Sequence, residues 1–184
     1  MKRFICLLCL ALSAGSAQAV TVSEGAIGEF SSDPLAPHVV SAGTTQITGS
    51  GTVNEYDIFR IDGLASGAQD ITFLFSSSAS ATNSYAAGGT ILYDTTPFTG
   101  PWSGTVLGSF GAFGVGGTGT QTLSLDALFS GPLYLGLNFT YGADLSYQIT
   151  LPTTNSVPLP AGGLLLLTGV ACAAGLSRRM KRTA

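Results

Sequence analysis

Residues 133–140 read Leu-Tyr-Leu-Gly-Leu-Asn-Phe-Thr, an unbroken alternation that puts Leu133, Leu135, Leu137 and Phe139 on one side of an extended chain. A repeat of two belongs to a strand with one buried face; a helix would need apolar residues three and four apart. Residues 145–151 repeat the pattern with Leu145, Tyr147, Ile149 and Leu151. The intervening Tyr141-Gly142-Ala143-Asp144 reads as a hairpin turn. Five earlier segments carry the same signal: 53–61, 70–75, 90–93, 105–110 and 120–125. In the first, Phe59 and Ile61 are expected to face inward and Arg60 outward; in the second, Ile71, Phe73 and Phe75 form the buried side. Short strands separated by Gly, Ser, Thr, Asn and Pro predict an all-β fold, an antiparallel β-sandwich. Residues 76–89, polar and small, are expected to form a long exposed loop.

The charges partition the chain. Arg60 is the only Lys or Arg between Arg3 and Arg178, and all ten Asp and Glu lie in that middle stretch. An acidic domain between two basic ends lacks the footprint that nucleic acid requires. Basic residues beside apolar segments are retained on the cytoplasmic side during translocation, so both ends read as topology signals and the middle as exported. At the N-terminus, Lys2 and Arg3 precede an apolar stretch and an Ala17-Gln18-Ala19 site. This is the order of a secretory signal peptide, 1–19, which signal peptidase would cut between Ala19 and Val20. Of the three cysteines, Cys6 and Cys9 fall in that segment and Cys172 in the C-terminal apolar run. The exported domain, 20–156, must therefore be stable without disulfides.

Motifs that suggest chemistry fare poorly. Gly114-Val115-Gly116-Gly117-Thr118-Gly119 matches G-x-G-x-x-G, but a dinucleotide site needs a helix after the glycines, and 120–125 is a strand pattern. His38, the only histidine, lies in a Pro-punctuated loop pattern with no G-x-S-x-G elbow elsewhere, which disfavours an extracellular hydrolase. Glu55 and Asp57 share strand parity and Asp62 follows; these carboxylates are candidate calcium ligands, more often simply solvated rim acids. Trp102 and Phe98 occupy a Pro- and Gly-rich stretch and are candidate carbohydrate contacts. No catalytic set and no cofactor motif is complete, so the domain is expected not to be an enzyme.

The order NEYDIFRI, DITFLF, ILYD, VLGSF, SGPLYLGLNF and ADLSYQITL resembles the pre-peptidase C-terminal family of bacterial extracellular β-sandwich domains. That resemblance implies a jelly-roll-like accessory domain without catalysis of its own.

The C-terminal segment, 157–184, has three parts. Val157-Pro158-Leu159-Pro160-Ala161 comes first, and its prolines cannot supply helix N–H groups. An uncharged apolar run at about 162–177 follows, short of the ~20 residues a spanning helix usually takes but extended by snorkelling arginines. A basic tail, 178–184, with Arg178, Arg179, Lys181 and Arg182, closes the chain. The whole resembles the VPLPA variant of the PEP-CTERM sorting signals of Gram-negative bacteria. The resemblance implies a transient inner-membrane anchor, recognition by an exosortase-type membrane transpeptidase, and transfer to the cell surface or the extracellular matrix. Its exopolysaccharide becomes a candidate partner. The function expected is a non-catalytic structural or adhesive sandwich, the alternative being a carbohydrate-binding module.

Overall fold

A computed structural model describes residues 20–78, 80–100 and 103–152. Ten strands and one helical turn follow in chain order. They are β1 (Val20–Ser23), α1 (Glu24–Ile27), β2 (His38–Val40), β3 (Thr44–Gly51), β4 (Tyr56–Ile61) and β5 (Gln69–Ser76). After these come β6 (Ala86–Asp94), β7 (Thr105–Phe113), β8 (Thr118–Leu125), β9 (Leu133–Tyr141) and β10 (Leu145–Thr150). They make two five-stranded sheets, ordered β1-β3-β10-β5-β8 and β2-β4-β9-β6-β7.

Without β1 and β2, the remaining eight strands follow the jelly-roll order, consecutive strands changing sheets except at the β6–β7 hairpin. Both additions sit on edges and run parallel to their neighbours, β1 to β3 and β2 to β4. The sandwich is thus mixed rather than purely antiparallel. The turn between β9 and β10 also departs from expectation, since β9 pairs with β4 and β6 while β10 pairs with β3 and β5. It carries the chain from one sheet to the other, with Gly142 and Asp144 at positive φ.

Alternation places the core where the sequence pattern puts it. Phe59 and Ile61 from β4, Ile71, Phe73 and Phe75 from β5, and Leu133, Leu135, Leu137 and Phe139 from β9 are all buried between the sheets. The 76–89 stretch is not all loop: β6 begins at Ala86, and Ala87, Gly88 and Gly89 are buried. Every residue from Leu133 to Phe139 is buried, including the outward-facing Tyr134, Gly136 and Asn138. A second apolar cluster explains part of this, with Phe98 lying against Ile58, Leu92 and Tyr134 on the outer face of the second sheet.

Large rings fill space that glycines leave. A Cβ on Gly51 would collide with the Phe139 ring, and one on Gly49 would stand 2.5 Å from the Tyr147 hydroxyl. Closely packed interiors tolerate added volume poorly, at about 1–3 kcal/mol per overpacked site. Gly51→Val is expected to lower Tm by roughly 10 °C, the shift about 2 kcal/mol produces in a domain of this size. Gly108→Ala, whose new Cβ meets nothing nearer than 3.9 Å, leaves Tm unchanged in the same thermal melts.

Candidate functional site

Carboxylates converge at one end of the sandwich. Asp57 has the parity of Phe59 and Ile61, so the second residue of β4 points its acid into the interior, where it is only 4% exposed. Tyr147 on β10 reaches it from the opposite sheet and donates a 2.6 Å hydrogen bond to Oδ2. Gly49, paired with Tyr147 across the β3–β10 ladder, leaves room for the phenol. Glu24 opens α1 and is buried. Its Oε2 accepts the Ser50 N–H at 2.8 Å and its Oε1 the Phe30 N–H at 3.4 Å. The acid thereby fastens the N-terminal segment across β3. An open groove of about 340 Å³ lies here, lined by Glu24, Gly49, Ser50, Ser146 and Tyr147 among others.

Arg60, the only Lys or Arg among the described residues, is engaged elsewhere, pairing with Asp62 at 3.0 Å. Burial therefore acts unopposed by positive charge. It pushes the Asp57 carboxyl up to about 7; the Tyr147 hydrogen bond works against the rise, and Glu24, Glu29 and Glu55 add to it. Burial and the adjacent Asp57 hold the Tyr147 phenol above its ordinary range, so it stays protonated and donates to Asp57. Exposed Glu29 is raised chiefly by the Glu24 carboxylate, with which it shares a hydrogen bond. The arrangement favours the protonated form of Asp57 between the sheets. Asp57 does not line the groove, so that proton is not presented to a ligand.

The other anticipated residues disperse. Glu55 stands before β4 and accepts the Thr52 N–H at 2.7 Å, while Asp62 lies past the far end of that strand. Glu55, Asp57 and Asp62 thus do not form a shared calcium site, and no group of three His, Cys, Asp or Glu among the described residues could hold a metal. Phe98 is 3% exposed and packed into the outer-face cluster, which removes it as a ring available to a sugar. Its alternation-free, Pro-flanked surroundings concealed this role. His38 begins β2 rather than sitting in a loop, edge-on to Phe30 at 4.9 Å.

Residues 114–117 of the Gly114–Gly119 run form the β7–β8 turn, with Gly114 and Gly116 at positive φ, and Thr118 and Gly119 already belong to strand β8 rather than to a helix. Val20 starts β1. Trp102, the signal segment with Ala17 and Ala19, the sorting pentapeptide 157–161, the apolar run and the basic cluster lie outside the described residues. Glu24 escaped the sequence reading because one acid before a four-residue helix carries no pattern. Tyr147 was legible only as core.

A jelly-roll sandwich with a carboxylate junction at one end is therefore the class of protein the described residues define. No family model and no curated protein matches the chain. Among solved structures it is similar to the pre-peptidase C-terminal domain of collagenase from Bacillus anthracis, at 12% identity and a TM-score of 0.38, covering 64% of this chain and 95% of that one. It is also similar to a periplasmic inhibitor of g-type lysozyme from Aeromonas hydrophila, at 16% identity and a TM-score of 0.34, covering 64% and 100%.

The raised Asp57 carboxyl sets a pH dependence whose sign can be worked out. Below about pH 4 the acid is protonated both folded and unfolded. Between 4 and 7 only the unfolded chain ionises, which favours unfolding; above 7 the loss is complete. Three units correspond to about 4 kcal/mol at most. His38 acts oppositely, since burial lowers its affinity for a proton and stability falls as pH drops through the ordinary histidine range. Urea melts from pH 4 to 8 should therefore show wild type losing stability relative to Asp57→Asn as pH rises. Parallel curves for the two proteins would contradict the buried proton.

Proposed function

We propose that this chain is an exported, exosortase-processed protein of the cell surface or extracellular matrix, in which the β-sandwich has a structural or adhesive role and performs no catalysis. The observation that carries the reading is the sequence Val157-Pro158-Leu159-Pro160-Ala161, followed by an uncharged run and then Arg178, Arg179, Lys181 and Arg182. In this reading the prolines, which lack the N–H a helix needs, would favour an extended pentapeptide that a membrane peptidase can thread, and the basic tail would set the segment's orientation. Signal peptidase would free the N-terminus at Val20 and an exosortase would remove the C-terminal anchor. The sandwich fits such a role: it is cysteine-free from 20 to 156, acidic, and built on a large aromatic and aliphatic core.

The absence of catalysis draws support from the placement of the reactive groups. Asp57 is sealed in the interior, and His38 packs edge-on to Phe30 and Phe59. A second reading, a carbohydrate-binding module for exopolysaccharide, is favoured by two exposed rings, Phe113 and Tyr141, on one sheet face.

Replacing Pro158 and Pro160 with Ala should leave the protein at its anchored mass in the inner membrane, whereas wild type is shortened and leaves it. Cell fractionation with intact-mass measurement checks this. Normal shortening of the double variant would overturn the sorting reading.

A further inference from the structure

We infer that residues 152–156 are a length gate: they supply the slack a sorting peptidase needs to reach residues 157–161 while the sandwich stays folded. The inference rests on the sorting reading above and adds to it a requirement set by the folded domain.

The chain enters and leaves the first sheet at one place. β1 runs parallel to β3 and begins beside its first residue, with Val20 paired to Thr44. β10 runs antiparallel along the other side of β3 and finishes there, with Thr150 paired to Gln46. Thr45 holds both. Its hydroxyl donates to the Val20 carbonyl at 3.3 Å, and its carbonyl accepts the Leu151 N–H at 2.9 Å. Only β3 lies between β1 and β10, so the two exits are about 10 Å apart at the usual strand spacing. The groove beside Glu24, Gly49 and Ser50 opens toward the other end of β3.

The C-terminal exit cannot give. β10 is the middle strand of its sheet, paired with β3 on one side and β5 on the other. Leu145, Tyr147, Ile149 and Leu151 are all buried in the core. Drawing even Leu151 out would break its bond to Thr45 and empty a packed site, a large loss for a marginally stable domain. Slack must therefore come from the five residues Pro152-Thr153-Thr154-Asn155-Ser156. Fully extended, such a stretch reaches about 18 Å, against the ~30 Å breadth of a small domain. A peptidase seated in the membrane would then work close against the folded sandwich, and loss of a few spacer residues would put the pentapeptide out of its reach.

The amino side has no such spacer. β1 starts at Val20, directly after the Ala17-Gln18-Ala19 site. A cut there precedes the docking of β1 on β3, whereas the spacer allows the C-terminal cut on the finished sandwich.

The test is intact-mass measurement on fractionated cells of the native host carrying full-length variants. Deleting residues 153–156 should leave the protein at its anchored mass in the inner membrane. Replacing the same residues with Gly-Ser-Gly-Ser should allow shortening and release as in wild type, because the gate reads length and not sequence. Limited proteolysis of detergent extracts checks that the deletion variant keeps the protease-resistant sandwich of wild type. If it does not, the smaller deletion of 155–156 decides, and it should slow shortening. Normal shortening of a folded deletion variant overturns the gate and leaves the sorting reading standing. Failure of the Gly-Ser variant also overturns it, since the spacer's sequence would then be what is read. Wild type that is never shortened overturns both.

Discussion

A run of rings joins the two sheets and ends on a buried acid. Phe75 stacks on Phe110 with centroids 4.0 Å apart, Phe110 meets Phe139 edge-on at 5.4 Å, and Phe139 lies 6.0 Å from Tyr147. Tyr147 then donates to Asp57. Phe75 and Tyr147 belong to one sheet, Phe110, Phe139 and Asp57 to the other, so the run crosses the interface three times. Rings at these separations add to the gain from burial alone. In a domain without disulfides, such packing does the joining that a cross-link would otherwise do.

The run exists because β3 yields to it. Gly49 and Gly51 are where inward side chains of β3 would stand, and Tyr147 and Phe139 occupy those volumes. The same vacancy opens the groove beside Glu24, whose carboxylate ties α1 to Ser50. Packing, the N-terminal attachment and the acidic junction are thus consequences of one complementarity. Removing the void would disturb all three.

The two outer faces of the fold are treated differently. The first sheet turns polar residues outward along β8, in the ordinary manner of a sandwich. The second buries its central strand on both faces, partly under Phe98, and carries exposed rings on what remains. The carboxylate junction, by contrast, faces inward and governs stability.

Much of the architecture was legible in the sequence because a period of two is local. Seven strand segments, the inward sides of β4, β5, β9 and β10, and the all-β class follow from side-chain alternation alone. The proposed export and sorting signals likewise rest on local patterns of charge and proline. What alternation could not show is whatever depends on residues distant in the chain. β3 was hidden because two of its inward positions, Gly49 and Gly51, are glycines, and their meaning lies in rings about ninety residues away. The parity of Asp57 was visible, but its partner Tyr147 is separated from it by ninety positions. Pairing in a jelly roll also sends neighbouring strands to opposite sheets, so the β9–β10 link resembles a hairpin in sequence and is a crossover in space. The sequence alone determined the main run of strands β4 to β10 and the buried sides of β4, β5, β9 and β10. Only the tertiary structure decided which faces meet, because close packing between sheets is a property of two surfaces and is written in neither one separately.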